Sequence, residues 1–265
     1  MNLGSSFSVF LSGLKIDNID PQEFVFSAAE LTKITLRFSI NTTYICDMSN
    51  SNENQRKVAE FLLRIKAIQL SPEQPFTWAS GRKSPIYCDN RRILSHPTIR
   101  TYIRQIASEA IVERNGKPEA IAGVATGGIA LGALIAQELG IPFIYVRASA
   151  KSHGKQQRIE GDFSGFSSVF VIEDLISTGK SSLSAVDALR DSGLEVKGLL
   201  AFFTYGFPDA VARFSEKECP FFTLTDYATM LDVACRSEYI TDAQKKELDG
   251  WSSDPVSWSN KHQPV

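Results

Sequence analysis

A chain of 265 residues with 43% hydrophobic and 22% charged residues is long enough for one α/β domain with a sizeable core plus an appendage. Its formal net charge of −2 gives no support to a nucleic-acid or membrane-surface binder, and no apolar run approaches the length of a membrane span. Cys46, Cys88, Cys219 and Cys235 are scattered without a C-x-x-C pair, which argues against a disulfide or zinc framework and for free thiols in a reduced, cytoplasmic setting.

The first 47 residues fit poorly with the rest of the chain. They carry short apolar bursts, Phe24-Val25-Phe26 and Ile34 to Phe38, without a sustained period. Met1 to Phe7 has no basic segment, and Phe7 to Leu14 is broken by Ser8, Ser12 and Gly13, so the pattern is not that of a secretory leader. The run from Met48 to Asn54 reads as a polar, mobile leader. Val58, Phe61, Leu62, Ile65 and Ile68 then fall on one helical face, which should stop before Ser71-Pro72, with Pro75 keeping the next segment extended. Ser95 is the expected cap of a second helix with Pro97 in its first turn, an apolar stripe from Ile99 to Ile111, and a stop at Asn115-Gly116.

Ala120 to Ala125 reads as a buried strand running into Thr126-Gly127-Gly128, followed by a small-residue helix to Leu139 that Gly140 stops. Phe143 to Val146 is a strand, and a polar loop covers 147–162. Beyond a central stretch at 169–182, strands are predicted at Leu199–Phe203 and Phe221–Leu224, with a helix around Ala210–Lys217 between them. Thr241 and Gln244 form a capping-box pattern for a late helix that Gly250 ends. The alternation predicts an α/β fold, a doubly wound, mainly parallel sheet flanked by helices, in which ligands bind beyond the C-terminal ends of the strands. The turn at 126–128, the loop after Val146 and the stretch 173–181 all lie at such ends.

The central stretch carries the chemistry. Val169-Phe170-Val171-Ile172 reads as a strand buried on both faces, and Glu173-Asp174 stand where it should end. A small-residue loop comes next, with Ser181 or Ser182 as the cap of a helix carrying Leu183, Val186 and Leu189. Such a loop gathers backbone N–H groups and a helix dipole around one anion, most simply a phosphate. A triphosphate-binding P-loop is set aside, because its first glycine would fall at Asp174. Two carboxylates would repel a polyphosphate unless they face another part of the ligand, and ribose hydroxyls are natural partners for such acceptors. One ligand with a terminal phosphate and a ribose diol satisfies both halves. An acidic turn with a fortuitous loop is the alternative that spacing leaves open.

This stretch resembles the phosphoribosyl-pyrophosphate (PRPP) signature of type I phosphoribosyltransferases. Two more segments make the chain similar to the orotate phosphoribosyltransferase family: Phe76-Thr77-Trp78-Ala79-Ser80-Gly81-Arg82-Lys83-Ser84-Pro85-Ile86-Tyr87-Cys88-Asp89-Asn90-Arg91, and Arg147-Ala148-Ser149-Ala150-Lys151-Ser152-His153-Gly154 with Ile159-Glu160-Gly161. The resemblance covers roughly residues 54–258. It implies a type I phosphoribosyltransferase fold in one domain, 48–265, with a small N-terminal hood from about 54–92. It also implies that Met48 is the working start and 1–47 an upstream translation outside the fold, the alternative being an extension that packs on the body or binds a partner. The implied reaction is orotate plus PRPP giving orotidine 5′-monophosphate and pyrophosphate, in de novo pyrimidine (UMP) biosynthesis. Mg²⁺ would be carried by PRPP without a direct protein ligand, in a cytoplasmic homodimer with shared active sites and no nucleic-acid or membrane partner. The alternatives are a phosphoribosyltransferase for another base, a non-catalytic PRPP-sensing regulator of the same fold, and a generic phosphosugar-binding module. Segment 76–91 argues against the first, and an intact lid without a DNA-binding motif against the second.

By the same resemblance Arg147, Lys151 and His153 contact the pyrophosphate, with Lys151 the principal catalytic group and His153 and Asp174 its catalytic companions. Glu173 and Asp174 take the ribose hydroxyls, Leu175 and Ile176 continue the PRPP-binding run, and Ser177, Thr178, Gly179, Lys180 and Ser181 hold the 5′-phosphate. Ser177 also lies near orotate, Tyr87 flanks the flat base, and Lys83 with Arg82 partners its carboxylate unless these are only exposed basic flanks of a strand. Lys180 either adds phosphate attraction or points to solvent. Thr126-Gly127-Gly128 either brings main-chain N–H groups to the pyrophosphate or is a tight structural turn. The loop with Arg147, Lys151, His153, Lys155 and Arg158 is too long and polar for a connector, and a basic lid would neutralise charge as the C–O bond breaks and keep water out. Some relatives have lysines at the positions of Ala79 and Ala148 and an orotate-binding arginine near Thr204-Tyr205-Gly206, and this chain lacks all three. His96 and His262 read as surface residues.

Overall fold

A computed structural model describes residues 52–78, 80–149 and 158–262, so the extension 1–47 and Met48 lie outside the described residues. Helix α1 (52–64) buries Val58, Leu62 and Leu63. It ends sooner than its apolar spacing predicts. Lys66 takes a positive φ of 56°, and Ile68 opens strand β1 (Ile68–Leu70) instead of extending the helical face. β1 pairs antiparallel with β4 (Ile86–Cys88), and a second small sheet joins β2 (Phe76–Thr77) to β3 (Lys83–Ser84). A 3-10 turn over Asn90–Ser95 takes up Ser95, so His96, not Ser95, precedes α2 (Pro97–Asn115). Gly116 ends α2 at φ 71°.

The main sheet is built from β5 (Ile121–Val124), α3 (Gly127–Leu139), β6 (Phe143–Val146), β7 (Ile159–Glu160), β8 (Ser168–Ile176), α4 (Lys180–Asp191), β9 (Glu195–Thr204), α5 (Pro208–Glu216) and β10 (Phe221–Asp226). Its order is β10-β9-β8-β5-β6-β7, parallel throughout except for β7 against β6. From β5 the chain runs outward to β6 and then returns to β8 on the other side, so the topological switch point lies between β5 and β8.

Val169 to Ile172 and Leu199 to Phe203 are fully buried because helices cover both faces of these central strands. Each large apolar side chain so removed from water contributes about 1.5–3 kcal/mol. Beyond β10 come α6 (Tyr227–Arg236), α7 (Asp242–Leu248) and α8 (Pro255–Lys261). The predicted capping box of Thr241 and Gln244 opens α7, whereas α6 and α8 carried no signal strong enough to predict them. His262 is half-buried and stacks on Trp258 with ring centroids 3.7 Å apart, and is not a free surface residue. Among the described residues no helix is long and apolar enough to cross a membrane, and Cys88, Cys219 and Cys235 are free thiols.

Candidate active site

β8 runs four residues past its apolar start, because Glu173, Leu175 and Ile176 stay paired with Ala201, Phe203 and Thr204 of β9. Leu175 and Ile176 are therefore strand residues, not part of a loop, and the two acidic neighbours point to opposite faces. Glu173 points inward and is 4% exposed. Its carboxyl accepts the Ser182 hydroxyl at 2.8 Å and the Asp174 N–H at 3.0 Å. Burial, then the charge of Asp174, pushes Glu173 well above the usual carboxylate range. Ser182 is not a helix cap, and Glu173, expected with Asp174 at the ribose hydroxyls, is buried and turned to the opposite face of β8 from Asp174. One charge, not two, faces the rim, which removes the repulsion that an acidic pair would impose on a phosphate.

Asp174 sits at the switch point. Its carboxylate lies against Gly127, where a Cβ would overlap it, so a side chain at 127 would push the Asp174 carboxylate out of this position. Its carbonyl accepts the Asn90 side-chain amide at 2.7 Å. Ser177 and Thr178 form the next bend, and Gly179 at φ 75° is the residue before α4. A Cβ on Gly179 would stand 2.9 Å from the Phe214 ring, and Arg213 donates to the Thr178 carbonyl at 2.9 Å, so α5 braces this bend from behind. Lys180 and Ser181 begin α4 and are exposed. Gly179 has no side chain with which to cap α4, and Thr126 does not cap α3 with its own. The first turn of α3 thus meets Asp174 and that of α4 follows it across the bend at 177–179, neither capped by a side chain at its N-cap, an arrangement suited to anions.

The basic loop is pinned where it leaves the sheet. Arg147 and Arg158 exchange backbone and side-chain bonds, with Arg147 N–H to Arg158 O at 2.8 Å and Arg158 Nε to Arg147 O at 3.0 Å. Arg147 also pairs with Glu160 at 3.3 Å, and Arg158 reaches Ser184 on α4. Lys151, His153 and Lys155 lie outside the described residues, as does Ala79.

On the hood, Tyr87 is 40% exposed and its ring lies 5.7 Å from Phe76. Lys83 is committed to its hairpin, where Nζ donates to Thr77 Oγ1 at 2.9 Å and its N–H donates to Ser259 Oγ at 2.9 Å. Arg82 is exposed. Tyr205, which sequence reasoning did not single out, is buried at the base of the hood. It comes directly after β9 at the same rim, stacks on Trp78 at 5.4 Å, and meets Trp251 edge-on at 5.3 Å. Burial, then Cys88, Asp174 and Tyr87, raises the Tyr205 hydroxyl well above its ordinary range. Burial, then Asp174 and Asp89, does the same to the Cys88 thiol. Tyr87 and Cys88 end β4, and Asn90, two residues on, bonds the Asp174 carbonyl, which brings this end of the hood to the rim. The signal available in the sequence was position alone: Tyr205 ends a central strand.

A family profile for the phosphoribosyl transferase domain matches residues 89–219. The orotate phosphoribosyltransferase of Phocaeicola vulgatus is 51% identical over 204 residues, covering 77% of this chain and 96% of the relative. Among solved structures, orotate phosphoribosyltransferase from Aeropyrum pernix is 27% identical with a TM-score of 0.58, covering 69% of this chain and 99% of that one. Leishmania donovani UMP synthase is 27% identical with a TM-score of 0.62 over 75% of this chain, which spans 42% of that larger protein. With half of the aligned residues identical across nearly the full length of such a relative, and a matching phosphoribosyl transferase domain, the chain belongs to the orotate phosphoribosyltransferase family.

Proposed function

We propose that the chain transfers the 5-phosphoribosyl group of PRPP to orotate, releasing pyrophosphate and giving orotidine 5′-monophosphate for pyrimidine biosynthesis. The observation that carries this reading is the meeting of one outward carboxylate, Asp174, with the N-termini of α3 and α4 at the switch point. In this reading Asp174 accepts the ribose hydroxyls. The bend from Ser177 to Gly179 and the first turn of α4, with Lys180 and Ser181, take the 5′-phosphate. The turn at 126–128 takes the diphosphate through main-chain N–H groups, joined by Arg147, Lys151 and His153. Tyr87 and Ser177 border the base, and Tyr205 walls it in place of the Lys83 partner expected from sequence. N1 of orotate attacks the anomeric carbon as the C–O bond to pyrophosphate breaks. The chain's part is to hold the two reactants in line, clamp the departing charge and exclude water.

Among the described residues no group of three or more His, Cys, Asp or Glu side chains converges as a metal cage. A donor set of one outward carboxylate suits Mg²⁺ that rides on substrate oxygens and keeps its own waters. When bound, the ion supplies further neutralisation of the diphosphate.

An absorbance assay offering orotate, uracil and hypoxanthine together tests the reaction. The expected result is PRPP-dependent loss of orotate alone. Consumption of another base, or PRPP binding without turnover, would replace this reading with one of its rivals. Family membership further supports a cytoplasmic homodimer in which each lid serves the neighbouring site. Re-associated mixtures of Lys151→Ala and Asp174→Asn subunits should then regain about a quarter of wild-type activity, since half the dimers are mixed and each has one intact site. Recovery of nothing, with subunit exchange confirmed, would leave each lid with its own subunit.

A further inference from the structure

We propose that Asn90 is a positioning residue: its buried side-chain amide takes the place of a missing strand neighbour and fixes the Asp174 peptide, and so the aim of the ribose-binding carboxylate. The inference rests on the reading of Asp174 as the ribose acceptor.

Strand alternation sets the geometry. Phe170 N–H donates to Ala120 O at the start of β5, so the backbone groups of Phe170, Ile172 and Asp174 all turn to that side of β8. Pairing between β8 and β5 ends at Ile172, opposite Gly123. Beyond that point β5 gives way to the glycine turn that opens α3, and the Asp174 carbonyl has outrun its ladder. Asn90 Nδ2 donates to it at 2.7 Å, across 84 residues of sequence.

Asn90 itself is 1% exposed, and its Oδ1 has no hydrogen-bond partner. A half-satisfied amide in a packed interior is a poor choice for stability alone, because an apolar side chain of that size would strand no polar atom of its own. What the amide does contribute is a donor at one carbonyl. Gly127 meets the Asp174 carboxylate and Asn90 holds the Asp174 backbone, so the residue is fixed at both ends. Asn90 also stands three residues after Tyr87 on the base side, which makes this bond a direct link between hood and rim.

Isothermal titration of PRPP into the full-length protein tests this with Asn90→Ala, Asp174→Asn and the double variant. Asn90→Ala should weaken PRPP binding by about threefold to tenfold, less than removing the Asp174 charge does, because it misaims that carboxylate without deleting it. In the Asp174→Asn background the same change should alter affinity less than about twofold, because the group it aims is already disabled. Asn90→Leu has the same branched shape without the donor and should show the same affinity loss, with a melting temperature lowered as in Asn90→Ala because the Asp174 carbonyl loses its partner in both. A remote core variant, Ile111→Val, controls for stability and should leave PRPP affinity unchanged. Equal losses in both backgrounds, or unchanged affinity in Asn90→Ala and Asn90→Leu, would overturn the role of Asn90. Unchanged affinity in Asp174→Asn alone would overturn the ribose reading, and this inference with it.

Discussion

On the function proposed above, the rim from Glu173 to Lys180 borders the phosphate and the hood built from β1 to β4 borders the base, and the two are held by different kinds of contact. The rim is an extension of the central sheet. Its backbone continues the β9 ladder, Ser182 locks Glu173 from the next helix, and Arg213 and Phe214 brace the bend beyond it. The hood strands are only two or three residues long and have no large sheet beneath them. They depend on the far end of the chain: Ser259 accepts the Lys83 N–H, Gln244 donates to Glu73, and Trp251 meets the edge of Trp78 at 5.9 Å. A phosphate cradle can therefore be rigid by local means, while the base side is rigid only by tertiary means. Changes in α7 and α8 should tune base recognition without disturbing the phosphate loop.

Three substitutions probe that division, in order of expected size. Trp251 is fully buried among Trp78, Tyr205, Phe207 and Tyr227, so Trp251→Ala should destabilise the protein by about 3–5 kcal/mol in urea unfolding. In the folded fraction it should raise KM for orotate more than KM for PRPP. Equal increases would mean that hood and rim are one mechanical unit. Asp174→Asn replaces a charged acceptor with a weaker one and should cost about 1.5–3 kcal/mol of PRPP binding, roughly 10–100-fold in Kd, with the melting temperature nearly unchanged. Unaltered affinity and rate would remove Asp174 from the site.

The smallest effect concerns Glu173. Its folded-state pKa is raised, so wild-type stability from this group is full below the ordinary carboxylate range and is lost as pH rises through the raised value. Glutamine cannot ionise and can still accept from the Asp174 N–H and bond Ser182. Glu173→Gln should match wild type near about pH 4 and melt higher than wild type at alkaline pH, with the gap opening as pH rises through the raised value. A difference independent of pH would mean that the buried carboxyl stays charged in the fold.

The same division explains what could be read from the sequence. The sheet, its rim and Asp174 were legible because strand, bend and helix succeed one another without interruption from Val169 to Leu189. Within that run two details were not legible. The strand end was set by the last apolar residue, but pairing with β9 carries β8 on to Ile176, a tertiary contact overriding local composition. The helix start was assigned to a serine, but the left-handed Gly179 moves it earlier and frees Ser182 to bind Glu173. On the hood, Ile68 kept helical phase with α1 and gave no warning that Lys66 would break it. Trp251 and Tyr205 were isolated aromatics in the sequence, and their contacts with Trp78 span too much chain to leave a local pattern. The contacts of Lys83, its Nζ with Thr77 and its N–H with Ser259, could be found only by folding the chain.

The bond between Lys83 and Ser259 also orders events during synthesis. The two residues are 176 positions apart, so at about 5–20 residues per second the ribosome delivers Ser259 roughly 9–35 s after Lys83. For that interval the emerging sheet can acquire its phosphate rim while the hairpin beneath the base still waits for its clasp. On the proposed function, a chain stalled once Asp226 has cleared the exit tunnel and before Ser259 has should bind PRPP and not orotate, an order that ligand binding to ribosome-stalled chains can check.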